Sequence, residues 1–159
     1  MVAVIGAGAC DTATAARAEA VGRLLAEAGC AVVTGGLGGV MEAASRGAAA
    51  AGGTTVGILP GADGAEANPH VGVAVATGMG DARNAVIANT ADAFVAVGGS
   101  YGTLSEIAFA LRRGKRVVSL GSWDADPAIL RAATPEEAVR LALSLPPGTS
   151  TRGPISCHT

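Results

Sequence analysis

Strand and helix signals alternate along this chain in the manner of a Rossmann-like α/β protein: one doubly wound parallel sheet with helices on both faces. The first sign is a series of short, continuous apolar runs separated by helical patterns, as expected of strands buried on both sides. The second is that several of these runs break on glycine clusters. The third is bulk composition. Half of the 159 residues are hydrophobic and only 15% are charged, enough apolar material for one core without disulfides.

Val2-Ala3-Val4-Ile5 reads as a buried first strand, followed by the turn Gly6-Ala7-Gly8-Ala9. Asp11 or Thr12 can cap a helix to about residue 28, with Ala16, Ala20, Leu24 and Leu25 near one face. Residues 31–34 form the next strand, which breaks on Gly35-Gly36-Leu37-Gly38-Gly39, and an alanine-rich helix follows over 40–51. A third strand covers 54–59, a polar loop 60–69 and a fourth strand 71–77. After Gly78-Met79-Gly80-Asp81 a short helix runs over 82–90. Ala93-Phe94-Val95-Ala96-Val97 is a fifth strand, residues 104–111 a helix and residues 117–120 a last strand. Thr134, Pro135 and Glu137 open a final helix as a capping box, and Pro146-Pro147 stops it near residue 145. Residues 1–147 then make the domain, and 148–159 a flexible polar tail.

Composition narrows the function. A formal net charge of -2 argues against a nucleic-acid partner, which calls for a basic stripe. The cluster Arg112, Arg113, Lys115 and Arg116 falls at a helix C-terminus, where cations are favoured in any case. Aromatics are only 3% of the residues, unlike a base-stacking surface for single strands. The three cysteines are odd in number and, with His70 and His158, show no metal spacing, so no metal site is expected and a reducing cytoplasm fits best. Met1 leads directly into the first strand with no basic leader, and no apolar run approaches the ~18 residues of a membrane span.

Ligands of doubly wound sheets bind beyond the carboxyl ends of the strands, and the glycine clusters stand there. The richest is Gly98-Gly99-Ser100-Tyr101-Gly102-Thr103-Leu104-Ser105-Glu106. Strand, glycine turn and helix N-terminus present unpaired N–H groups and a favourable dipole to an anion. Thr103 can cap the helix or donate to a phosphate. Glu106 has two readings, a carboxylate stabilising its helix's first turn or a reacting group. Arg83 can fork onto a phosphate or pair with Glu106; the plainer readings are a surface arginine or a structural pair with Asp81.

A dinucleotide site is rejected. Gly6-Ala7-Gly8-Ala9-Cys10-Asp11 lacks the third glycine and sets a carboxylate against the pyrophosphate. Thr34-Gly35-Gly36 stands where an acidic residue would take the ribose. Gly6 and Gly8 are left as either a tight turn or part of a ligand wall.

The stretch 98–106 resembles the GGxGTxxE signature of the Lonely Guy family. Gly35-Gly36-Leu37-Gly38-Gly39-Val40-Met41 is similar to that family's earlier glycine motif, and Thr77-Gly78-Met79-Gly80-Asp81-Ala82-Arg83-Asn84 to its arginine motif. The similarity runs from Met1 to about Leu120. It implies a nucleoside 5′-monophosphate phosphoribohydrolase with Arg83 and Glu106 catalytic. The phosphate would be held by Gly98, Gly99, Ser100, Gly102 and Thr103, with Gly6, Gly8, Gly35, Gly36, Gly38, Gly39, Met41 and Asn84 completing the ligand site.

Val97, Asn84 and Ser105 depart from the hydrolase pattern, which usually has proline, a basic residue and a second acid there. Gly57-Ile58-Leu59-Pro60-Gly61 with Asn68-Pro69 is closer to a sister branch that includes molybdenum-cofactor carrier proteins. That resemblance implies the alternative, a non-catalytic carrier of a pterin phosphate. On either reading the partner is a small phosphorylated ligand, a nucleoside monophosphate or a molybdopterin-type molecule, with no other cofactor required. The fold is also shared with a DNA-uptake family, a role the acidic balance disfavours. The family implies a homodimer or larger homo-oligomer, and the apolar run Ile107-Ala108-Phe109-Ala110-Leu111 agrees with a helix covered on more than one side.

Overall fold

In a computed structural model, which describes residues 1–144, the chain forms one seven-stranded sheet. The strands are β1 (Val2–Ile5), β2 (Val32–Thr34), β3 (Thr55–Leu59), β4 (Val73–Ala76), β5 (Ala93–Val97), β6 (Arg116–Leu120) and β7 (Leu130–Arg131). The helices are α1 (Thr12–Glu27), α2 (Val40–Ala50), α3 (Asn84–Thr90), α4 (Tyr101–Arg112) and α5 (Pro135–Leu143). Strand order is β4-β3-β2-β1-β5-β6-β7, and every neighbouring pair is parallel. The chain therefore steps outward from β1 to β4, then crosses back to place β5 on the other side of β1. That reversal opens a crevice between the carboxyl ends of β1 and β5.

Alternation along the strands feeds two cores. Val2, Val4, Val95, Val97, Val118 and Leu120 point to one face and pack with Val21, Leu25, Val40 and Val139 of α1, α2 and α5. Ala3, Ile5, Phe94, Ala96 and Val117 point to the other and pack with Ile87 of α3 and Ile107 of α4. The abundant small residues let α1 and α2 touch backbone to backbone. A Cβ on Gly22 would lie 2.0 Å from the Ala44 carbonyl oxygen, and one on Gly47 2.0 Å from that of Glu19. An Arg46–Glu19 ion pair of 2.7 Å braces the same contact at the half-exposed rim.

Several elements differ from the sequence reading. Of the two α1 caps the sequence offers, Asp11 is the one used, its Oδ1 accepting from the Thr14 N–H at 2.7 Å. The buried face of α1 is Ala18, Val21, Gly22 and Leu25, and Ala16 is exposed, because the apolar stripe follows i, i+3, i+4, i+7 from Ala18. The strand β7 was not expected: Leu130–Arg131 is too short for a periodic signal and is defined by its pairing with β6. All four residues of β4 are exposed, so this edge strand lacks the two-sided cover expected of the sheet. Gly78 and Gly80 take positive φ (+63° and +55°), and a 3-10 turn over Gly80–Arg83 precedes α3. The helix α4 begins at Tyr101, not Leu104. The proposed tail, 148–159, and the stop at Pro146-Pro147 lie outside the described residues.

Candidate functional site

The N-terminus of α4 faces the crevice. The N–H groups of Gly99, Tyr101 and Gly102 have no hydrogen-bond partner among the described residues, as expected where a helix begins without acceptors behind it. Leu104 is the first residue of the helix to bond backward, to the Ser100 carbonyl at 3.1 Å. Thr103 is buried, and its Oγ1 accepts from the Ser100 N–H at 3.3 Å, which is the capping geometry. The cradle thus consists of backbone donors from the first turn of α4, braced from beneath by Thr103.

The glycines divide into those the fold requires and those it does not. A Cβ on Gly6 would lie 2.5 Å from Val40 Cγ1 and 2.6 Å from the Val97 carbonyl oxygen, so Gly6 lets β1, β5 and α2 converge. Gly39 has φ +62° and would meet the Ala7 carbonyl oxygen at 2.4 Å; Gly36 has φ +76° and would meet Leu59 at 2.6 Å. Gly98 and Gly99 have φ of +56° and +131°, and Gly99 would also collide with Thr103. A Cβ on Gly38 would lie 3.2 Å from the Gly8 carbonyl oxygen, a tight contact. Gly8 and Gly102 are different. Neither has positive φ, and an added Cβ would meet nothing nearer than 3.8 Å and 3.9 Å. Nothing among the described residues demands a bare backbone at these two exposed positions.

Asn68 clamps the second glycine loop. Its Nδ2 donates to the carbonyls of Gly36 (3.1 Å) and Leu37 (2.9 Å), and its N–H to that of Gly36 (2.8 Å). Met41 is buried beneath the loop, its Sδ 2.6 Å from where a Gly35 Cβ would be and its Cε 3.8 Å from a Gly8 Cβ. Met41 is therefore a packing floor that joins two glycine loops.

Arg83 and Glu106 both lie buried on this side of the sheet, 9% and 6% exposed. The Arg83 guanidinium passes over Gly35 and donates from Nη1 to the Ile58 carbonyl at 2.8 Å, leaving its buried Nε without a partner among the described residues. Burial lowers the Arg83 pKa, and the charges of Glu106 and Asp81 oppose that shift. Burial pushes the Glu106 carboxyl up to about 7, with Arg83 pulling it back only in part, and no hydrogen bond contributes. The pair is thus coupled through space. Asn84 is engaged elsewhere: its Nδ2 donates to Ser105 Oγ at 2.8 Å, which in turn donates to the Gly102 carbonyl at 2.8 Å. This relay ties the start of α3 to the first turn of α4 and so orients the cradle.

Two aromatic residues that sequence patterning passed over border the cradle. Tyr101 is 81% exposed, and its ring centroid lies 5.8 Å from that of Trp123 at an interplanar angle of 34°. Trp123 Nε1 donates to the Ser100 carbonyl at 3.0 Å. Gly98, Gly99, Gly121, Ser122 and Trp123 line a cavity of about 290 Å³. A larger cavity, about 730 Å³, lies at the opposite edge of the sheet around Met1, Cys30, Lys115 and Ser144 and contains none of the motif residues.

Comparison with known proteins agrees with this architecture. An uncharacterized protein of Archaeoglobus fulgidus is 48% identical over 143 residues, covering 90% of this chain and 94% of that one. The molybdenum cofactor binding protein of Rippkaea orientalis is 36% identical with a TM-score of 0.80, covering 88% of this chain and 91% of its own. The molybdenum cofactor carrier protein of Chlamydomonas reinhardtii is 34% identical with a TM-score of 0.77, over 87% and 92%. A family model matches residues 1–146, and the chain belongs to the SLOG cluster4 family.

Proposed function

We propose that this protein binds a phosphorylated pterin, the molybdenum cofactor or its metal-free form, at the glycine-lined crevice and holds it as cargo. The observation that carries this reading is the row of unpartnered N–H groups on Gly99, Tyr101 and Gly102 at the start of α4. A phosphate monoester satisfies such donors and the positive end of the helix dipole together. Gly8 and Gly102, whose bare backbones the fold leaves unexplained, allow the ligand to approach. Likeness to a cofactor binding protein and a cofactor carrier over nearly the whole chain supports the choice of pterin over other phosphate esters. In this reading Arg83 supplies a fixed positive charge beneath the ligand, and Glu106 is a neutral, buried neighbour of that charge below pH ~7.

The test is purification from cells that make the cofactor, followed by oxidative release and detection of the fluorescent pterin. The expected result is near-stoichiometric pterin, lost on Gly102→Val. Pterin no higher than in an unrelated control protein, together with no saturable binding of added pterin, would overturn the proposal.

One observation favours a second reading, hydrolysis of a nucleoside 5′-monophosphate. A carboxyl whose pKa lies near 7 beside a buried guanidinium is poised for proton transfer. In that reaction the C1′–N bond breaks, water supplies the hydroxyl to C1′ and a proton to the base, and free base and ribose 5-phosphate leave. Release of base from a nucleoside monophosphate panel, abolished in Glu106→Gln, would support it. No base above background ends it.

A further inference from the structure

We propose that Tyr101 and Trp123 form a stacking platform for the planar nitrogen heterocycle of the ligand whose phosphate rests on the α4 N–H groups. This inference rests on the phosphate-cradle reading above and assigns the part of the ligand that the cradle leaves unaddressed.

The chain has one Trp, one Tyr and two Phe. Phe94 is fully buried in the core, and Phe109 lies under the Arg113 guanidinium, 5.3 Å from its ring centroid. The two remaining aromatics are far apart in sequence yet meet beside the cradle. Their mutual contact fixes the Tyr101 ring while most of it stays in solvent. Trp123 packs one side against the core cluster that contains Ile107 and Ile129. Its indole N–H is spent on the carbonyl of Ser100, the residue that caps α4. The indole is therefore locked to the phosphate cradle itself, with its polar atom satisfied and part of its ring lining the neighbouring cavity as an apolar wall.

The cavity beside it has an unusual lining: Gly98, Gly99 and Gly121 give bare backbone, and Trp123 gives the only large side chain. Ser122 lines the same cavity, and its buried Oγ has no hydrogen-bond partner among the described residues. Glycine walls admit a flat molecule close to the backbone, and the indole at one end offers it apolar ring surface. A volume of about 290 Å³ takes one ring system but not a bulky globular group. Phosphate at the helix start and an aromatic wall alongside select a phosphate ester that carries a planar heterocycle over a plain sugar phosphate.

Trp123 is the only tryptophan, so intrinsic tryptophan emission reports this position alone. The full chain is titrated with two probes, a phosphorylated pterin and ribose 5-phosphate, following emission and, by calorimetry, affinity. The expected result is quenching by the pterin and none by ribose 5-phosphate. Trp123→Leu and Tyr101→Ala should each weaken the pterin by about tenfold and change ribose 5-phosphate by less than about twofold. Tyr101→Ala guards against misfolding, because Tyr101 lies on the surface and its loss leaves the core and the Trp123 signal in place. Unchanged pterin affinity in both variants, or an equal loss for both probes, overturns the platform. If neither probe binds the unaltered protein, the cradle fails first and the platform with it.

Discussion

Arg83 and Gly35 share one space: a Cβ on Gly35 would stand 2.1 Å from Arg83 Nη1, the same nitrogen that donates to the Ile58 carbonyl. The arginine therefore reads the absence of a side chain on the neighbouring loop. Gly35→Ala forces the guanidinium off its carbonyl or distorts the loop. The expected cost is about 1–3 kcal/mol in denaturant unfolding, as for other overpacked sites. Loss of phosphate-ester binding should accompany it. A variant with unchanged stability and unchanged binding would show that Arg83 is free to move.

Glu106 sets a pH dependence. Its carboxyl titrates near 7 in the fold and at its ordinary 4.5 when unfolded, so between these values the folded state holds the extra proton. Stability therefore falls as pH rises from about 4.5 through about 7 and levels off above, by roughly 3 kcal/mol in all. Glu106→Gln, which mimics the protonated form, should flatten that slope. Urea unfolding at several pH values reads it directly, and a slope that persists in the variant assigns the effect to another group.

Gly102→Ala separates folding from binding. The position lies in the first turn of α4, has no positive φ and leaves room for a Cβ. Alanine there should stabilise the fold by about 0.5–1 kcal/mol through a less mobile unfolded chain. The same methyl group intrudes on the cradle and should weaken phosphate-ester binding at least about tenfold, the equivalent of roughly 1.4 kcal/mol. Equal affinity with and without the methyl group would place the ligand elsewhere.

Asn68→Ala removes the donor that serves two carbonyls of the second glycine loop. The Gly36 carbonyl keeps the backbone N–H of residue 68, so only the half-buried Leu37 carbonyl loses its partner, and the expected loss is about 1 kcal/mol. Hydrogen exchange should rise first at residues 35–39. A loss of stability without local exchange at that loop would assign the clamp to some other contact.

Much of the architecture was legible because its signals are local. The apolar runs of β1 and β5, the Asp11 cap and the glycine clusters each announce themselves within a few residues. The resemblance that placed this chain beside molybdenum-cofactor carriers came from such short motifs, and a cofactor binding protein and a cofactor carrier are among the solved structures it is similar to. What stayed hidden depends on tertiary placement. The two residues of β7 carry no periodicity, and only pairing with β6 makes them a strand. The anchor of Arg83 is a backbone carbonyl of β3, which no side-chain pattern encodes. Tyr101 and Trp123 meet because a loop after β6 returns to the start of α4, and a low aromatic content concealed the pairing.

The placement of β5 beside β1 also dictates when a ligand can first be held. Val2 pairs with Ala93, so the crevice is closed by a contact between segments some ninety residues apart. Such high contact order is slow to form, and strands β1 to β4 can associate before it does. An intermediate with β1 to β4 in place would already possess the loops around Gly8 and Gly35 but lack every donor of α4. Ligand binding would then recognise only the finished sheet, and a cargo molecule would act as a late lock on folding, drawing the chain toward completion by mass action.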